Sequence, residues 1–131
     1  MNTKQYVTDT HSLVWYFTEN PRLSRKALKV FEKTVKEGTI IIPTVVLAEI
    51  MYIAEKGRIT MSFAETVKKI EDSENFEITP LDLDILKKAD EIDYELEMHD
   101  RLIVATALFF DAPLLTKDQT IKESNLCRVI W

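Results

Sequence analysis

The run Ile40-Ile41-Ile42-Pro43 constrains the fold of this chain more than any other feature. Three consecutive β-branched residues suit a strand buried on both faces. Pro43 ends the strand, and Thr44 to Lys56 follows as a strongly apolar helix closed by Gly57. The same alternation recurs along the chain. Tyr6-Val7-Thr8 reads as a first strand and His11 to Phe17 as a mostly buried helix that stops before Asn20-Pro21. Phe76 to Thr79, Pro113 to Thr116 and Cys127 to Ile130 read as third, fourth and fifth strands. Strands alternating with helices of about 10–15 residues indicate βαβ units, hence a parallel sheet with helices on both faces. In open sheets of this type, sites form beyond the carboxyl ends of strands, where the strand order reverses.

The intervening helices carry their own signals. Ser24 is an N-cap, Leu23 and Leu28 stand at staple positions, and Gly38 sits where a C-terminal cap belongs. Ala27, Leu28, Phe31 and Val35 share one face at helical spacing. Ser62 and Glu65 form a capping box, with Phe63, Val67 and Ile70 as the inner stripe. Leu83 to Leu96 contains a helix in an acidic segment whose end carries no clear stop. Asp100 opens another buried helix through Leu102-Ile103-Val104-Ala105-Thr106-Ala107-Leu108.

The size and composition narrow the class. A chain of 131 residues fits one domain spanning 1–131. Two glycines and four prolines leave little room for linkers. The single cysteine, Cys127, cannot build an internal disulfide and reads as a buried strand residue. The start, Met1 to Gln5, is polar and lacks an apolar signal core. The longest apolar stretch, Ile40 to Ala54, is broken by Pro43 and Glu49, whereas a membrane helix needs about 20 apolar residues. A cytosolic protein with no membrane partner is the expectation.

A net charge of −5 argues against a phosphate-rich partner, but its distribution softens that objection. Residues 65–100 hold 13 of the 22 acids and 4 of the 17 bases, a local charge of −9 that leaves +4 elsewhere. Arg22, Arg25, Lys26, Lys29, Lys56, Arg58 and Lys117 form either a basic face or ordinary solvated helix surfaces.

Four acids stand at structurally telling places. Asp9 follows the first strand, Glu49 lies about two turns into the helix after the second, and Asp118 lies two residues past the fourth. Asp100 starts the helix leading into that fourth strand, so all four point to one sheet edge. Asp9, Asp100 and Asp118 each also suit a cap or turn. Glu49 is harder to explain that way. It sits within Val45-Val46-Leu47-Ala48-Glu49-Ile50-Met51, and an unpaired buried charge costs several kcal/mol. Crowded carboxylates repel unless a cation neutralises them. Oxygen ligands suit Mg²⁺ or Mn²⁺, and His11 and His99 show no zinc-ligand spacing. His99, beside Asp100, reads as a surface or capping residue in preference to a substrate contact.

Val7-Thr8-Asp9-Thr10-His11, Leu47-Ala48-Glu49-Ile50, His99-Asp100-Arg101 through Ala107, and Pro113-Leu114-Leu115-Thr116-Lys117-Asp118 resemble the four motifs of PIN domains. They are most similar to VapC-type toxins of bacterial toxin–antitoxin pairs. The resemblance implies a PIN-like three-layer α/β/α fold around a parallel sheet of four to five strands. It implies a Mg²⁺- or Mn²⁺-dependent ribonuclease, with Asp9, Glu49, Asp100 and Asp118 as catalytic metal ligands. It implies supporting roles for Thr10 and Thr116, whose hydroxyls would hold water on the ion. An RNA substrate, a cognate antitoxin and a homodimer also follow from it. Relatives often place basic residues after the fourth acid, whereas Gln119-Thr120 stands here. Arg101 and Lys117 are the candidate phosphate contacts.

The chemistry expected is attack of water on an RNA phosphodiester, leaving a 5′-phosphate and a 3′-hydroxyl. Two other classes compete. A phosphoacceptor receiver domain has a similar acidic pocket, but it usually shows adjacent acids after the first strand, where Asp9 stands alone. A non-catalytic RNA- or partner-binding module on the same fold would leave the acids without a catalytic task.

Overall fold

The computed structural model describes residues 4–131, so the polar residues 1–3 of the chain start lie outside it. Strand β1 (Gln5–Thr8) leads into helix α1 (Thr10–Phe17), then α2 (Arg25–Glu37), β2 (Thr39–Pro43) and α3 (Thr44–Glu55). There follow α4 (Phe63–Glu71), β3 (Phe76–Thr79), α5 (Leu83–Asp90), α6 (Met98–Phe110), β4 (Leu114–Leu115), α7 (Gln119–Ser124) and β5 (Val129–Ile130). All strand pairs are parallel, in the order β3-β2-β1-β4-β5. The chain builds outward from β1 through β2 to β3, then crosses to the other side of β1 for β4 and β5. The reversal therefore falls between β1 and β4.

Burial explains why these residues make a covered sheet. Ile40, Ile41 and Ile42 are all buried, as are Val7, Leu114 and Leu115, and consecutive buried residues mean that both faces are packed. Helices α3 and α6 add Val46, Ile50, Ile103 and Val104 to the same apolar cluster. The PIN-like α/β architecture expected from the motifs is the one observed. The receiver-like alternative falls on topology, because flavodoxin-like sheets of that class run 2-1-3-4-5.

Helix α2 shows how local signals are overruled at the margin. Ser24 accepts a hydrogen bond from the Ala27 amide, as an N-cap should. Leu28, however, is 38% exposed, and the buried line runs through Ala27, Phe31 and Thr34. Phe31 stacks on Tyr16 of α1, 4.5 Å between ring centroids. Gly38 ends the helix for steric rather than torsional reasons. A Cβ there would stand 2.2 Å from the Lys4 carbonyl oxygen, where the chain enters β1.

Three further expectations are corrected. In α4 the capping box between Ser62 and Glu65 forms, but Thr66 rather than Val67 is buried beside Ile70. Thr66 can enter because its hydroxyl donates to the Ser62 carbonyl. Cys127 precedes β5 instead of belonging to it and is half-buried, with burial raising its thiol pKa to about 11. Asp100 does not open α6: Glu97 is the N-cap and Asp100 sits in the first turn.

Candidate active site

Asp9 is fixed by the switch point itself. Its amide donates to the Leu115 carbonyl, extending the β1–β4 pairing by one residue. Its carboxylate then caps α1, accepting from the Ser12 amide at 2.9 Å. The buried Ser12 hydroxyl in turn donates to Leu115, tying α1 to β4. Asp9 is therefore the cap that its sequence position allows, and it is also bound to the neighbouring strand. Thr116 donates its hydroxyl to Asp9 Oδ2 at 2.5 Å and accepts from the Asp118 amide at 3.1 Å. The chain thus links two of the acids through one buried threonine.

Asp118 caps α7 by accepting from the Ile121 amide at 2.8 Å. That six-residue helix is absent from the sequence expectations, although Asp118 three residues before Ile121 and Asn125 at the far end are its start and stop. Asn125 has φ of 56°, a left-handed cap that asparagine tolerates.

Glu49 projects from α3 with its side chain 21% exposed. Its Oε1 accepts from the Thr10 hydroxyl and lies 2.6 Å from His99 Nε2. The comfort that the sequence could not supply for a carboxylate in an apolar helix comes from these two partners. His99 is thus a site residue that sequence reasoning assigned to the surface. Its signal was adjacency to Asp100 one turn into α6. Thr10 and Thr116 both donate their hydroxyls to carboxylates, which makes them orienting donors for Glu49 and Asp9.

Asp100 carries the electrostatic signature of the group. Burial raises its pKa from 3.8 to about 6, aided by the nearby charges of Asp118, Glu97 and Glu49, while His99 opposes the rise. The pKa of Asp9 is also raised by burial, against hydrogen bonds from Ser12 and Thr116 that hold it down. Asp100, Asp118 and Glu49 thus share one local field, and the Thr116 link joins Asp9 to it.

The donor set has the chemistry of a hard-cation site, with oxygens only. Among the described residues, however, no three acids, histidines or cysteines are drawn together as a ready-made metal cage. Local hydrogen bonds explain part of this: Asp9 uses both oxygens, and Asp118 and Glu49 use one each. Among the described residues, the Asp100 carboxylate, Glu49 Oε2 and Asp118 Oδ2 accept no protein hydrogen bond. Those oxygens are left free of protein partners, and oxygen donors are the kind that suit Mg²⁺ or Mn²⁺.

The two expected phosphate contacts separate. Arg101 Nε donates to the Ala89 carbonyl at 2.8 Å and Nη2 to Ile92 at 3.2 Å. Its guanidinium clamps the end of α5 to α6, a structural task. Lys117 is exposed, with its ammonium 5.9 Å from the centroid of the Trp15 ring.

Comparison with known proteins gives the same answer as topology. No curated protein sequence matches the chain. Among solved structures, VapBC2 from Rickettsia felis bound to a promoter DNA fragment is similar at TM-score 0.74 and 20% identity, over 95% of this chain and 96% of that one. DNA-bound VapBC from Salmonella typhimurium gives 0.71 at 15% identity, covering 97% of each chain. VapC20 of Mycobacterium tuberculosis, a Sarcin-Ricin loop cleaving toxin, gives 0.67 at 14% identity, over 92% of this chain and 95% of that one. These likenesses establish a shared fold. The family model for the PIN domain matches residues 6–124, nearly the whole chain, and the chain belongs to the PIN domain family.

Proposed function

We propose that this protein is a divalent-metal-dependent endoribonuclease acting as one 1–131 domain, and the toxin of a toxin–antitoxin pair. The observation that carries the reading is the field around Asp100. Its pKa of about 6 reflects burial beside other acids at the switch point of a parallel sheet, a charge excess that a cation relieves. Asp9, Glu49, Asp100 and Asp118 are the proposed ligands. When bound, Mg²⁺ or Mn²⁺ would lower the pKa of an attacking water and offset charge on the phosphate.

The chain's own residues supply orientation. Thr116 fixes the Asp9 carboxylate and, through the Asp118 amide, the start of α7. Thr10 and His99 hold Glu49 by Oε1 and, among the described residues, leave Oε2 free. Lys117, next to Asp118, supplies positive charge for the RNA backbone. With water attacking the phosphorus and the 3′-oxygen leaving, the products carry a 5′-phosphate and a 3′-hydroxyl, and no serine, cysteine or histidine nucleophile is needed.

A similar solved structure from Klebsiella pneumoniae is a toxin–antitoxin complex, and we extend an antitoxin partner and a homodimer to this chain by analogy. No helix of the described residues is long and apolar enough to cross a membrane, and a cytoplasmic setting is part of the proposal. A second reading, a non-catalytic binding module, draws on the engagement of the acids in caps and hydroxyl contacts.

Sequencing RNA ends after induced expression separates the two. The nuclease predicts new 5′-phosphate ends with the wild type and none with Asp100→Asn. Identical end profiles for both would refute it, and 2′,3′-cyclic phosphate ends would refute the attack by water.

A further inference from the structure

Beside the acidic edge lies a group of side chains of which the proposed chemistry uses only Lys117. Trp15 of α1 stands six residues after Asp9, about 9 Å along the helix axis. Around its indole are the Trp131 indole at 5.9 Å, the His11 imidazole at 5.7 Å and the Lys117 ammonium at 5.9 Å. Both tryptophans are half-buried, while His11 and Lys117 are exposed. Lys117 lies between Thr116 and Asp118 in sequence, so this ledge begins where the site ends. Among the described residues Lys117 forms no ion pair.

From this geometry we propose that Trp15, Trp131, His11 and Lys117 form a subsite for an unpaired nucleobase and its phosphate, next to the bond that is cut. The inference rests on the ribonuclease reading and specifies what its substrate presents. An aromatic ledge with a mobile cation is how proteins hold single-stranded nucleic acid: every base offers a flat π-face, and the cation meets its phosphate. Cation–π contacts at exposed sites are weak, so Lys117 can leave the indole face as a base takes its place. The tilts of 50° and 59° between His11, Trp15 and Trp131 make a stepped surface rather than a closed stack, which leaves ring area for a visiting base. Charge complementarity names the occupant. The acidic site repels anions, and Lys117, between Thr116 and Asp118 in sequence, puts a cation on the ledge that can draw a phosphate to this edge. A nucleotide offers both a flat ring and a phosphate, while duplex RNA hides its bases and would gain nothing from the indoles.

The chain has only two tryptophans, both on the ledge, so its indole fluorescence reports this place alone. With Asp100→Asn protein in Mg²⁺, titration with a 12-nucleotide single-stranded RNA of mixed sequence should quench that fluorescence. An abasic strand of equal length should leave it unchanged. In the otherwise wild-type enzyme, Trp131→Ala should raise KM for the same RNA about tenfold, with the change falling on KM rather than kcat. Lys117→Gln, on an exposed side chain that cannot upset the core, should raise KM and reduce the salt slope by about 0.7. Trp15→Phe, which keeps a smaller ring, should raise KM less than Trp131→Ala does. RNA cleavage with unchanged fluorescence and unchanged KM in Trp131→Ala and Lys117→Gln would overturn the subsite and leave the nuclease standing. Quenching by the abasic strand equal to that by the RNA would overturn base stacking. Absence of any RNA binding or cleavage would remove both proposals together.

Discussion

Replacing Asp100 by asparagine should stabilise the metal-free protein, although it removes a residue central to its proposed work. The sign follows from the direction of the shift. In the fold the carboxyl titrates near 6, whereas its ordinary value is 3.8. Below pH 3.8 both folded and unfolded chains hold the proton and no penalty exists. Between 3.8 and 6 the unfolded chain ionises first, so stability falls as pH rises, and the full penalty is present above 6. A rise of that size corresponds to about 3 kcal/mol for a fully shielded group. Asp100 is only partly buried and lies in the first turn of α6, where the helix field favours a negative charge. Screening and that field together reduce the expected penalty to about 1 kcal/mol. For a chain of this length that is about 4 °C in Tm. Thermal unfolding with a chelator present, from pH 4 to pH 8, is the assay. Asp100→Asn should match the wild type near pH 4 and exceed it by about 4 °C at pH 8. Saturating Mg²⁺ should reverse the order by stabilising the wild type alone, by about 2.7 kcal/mol at a hundredfold excess over Kd. A variant no more stable than the wild type at pH 8 in chelator would refute the crowding argument.

Thr116→Val removes the donor to Asp9 and the acceptor for the Asp118 amide while keeping the shape. Cleavage should fall by about 10–100-fold with a modest loss of Tm, and single-turnover kinetics would show it. Arg101→Met leaves the Ala89 and Ile92 carbonyls without their donor and should cost about 1–3 kcal/mol in denaturant unfolding. Activity per folded molecule should persist, and its loss would instead restore Arg101 as a phosphate contact. Gly38→Ala drives a Cβ against the Lys4 carbonyl and should destabilise by about 2 kcal/mol or more in the same assay. Wild-type stability in that variant would refute the close-approach account.

The sheet was legible because its strands are short, β-branched and punctuated. Ile40-Ile41-Ile42-Pro43 can hardly be anything else, and the structure buries all three isoleucines. Ambiguity gathered where a residue has two uses. Asp9 and Asp118 satisfy cap rules, and those rules hold in the structure, so neither sequence nor capping alone distinguishes a helix start from a metal ligand. Helix α7 escaped notice because six residues carry too little periodicity. The partners of Glu49 were invisible for a different reason. Thr10 and His99 lie 39 and 50 positions away, and only the packing of α1, α3 and α6 against one another brings them together. Arg101 shows the converse ambiguity, since a cation beside a catalytic-looking acid is equally able to hold two backbone carbonyls. Thr66 entered the core because its hydroxyl found a helical carbonyl, which a hydrophobic pattern does not anticipate.

Mn²⁺ binding, read by loss of the free-ion EPR signal, tests most directly whether Asp9, Glu49, Asp100 and Asp118 serve one cation. The wild type should take up Mn²⁺ in competition with Mg²⁺, and Asp9→Asn, Glu49→Gln, Asp100→Asn and Asp118→Asn should each weaken that uptake. A wild-type protein that leaves all the Mn²⁺ free, or four variants that bind it as well as the wild type, would contradict the account.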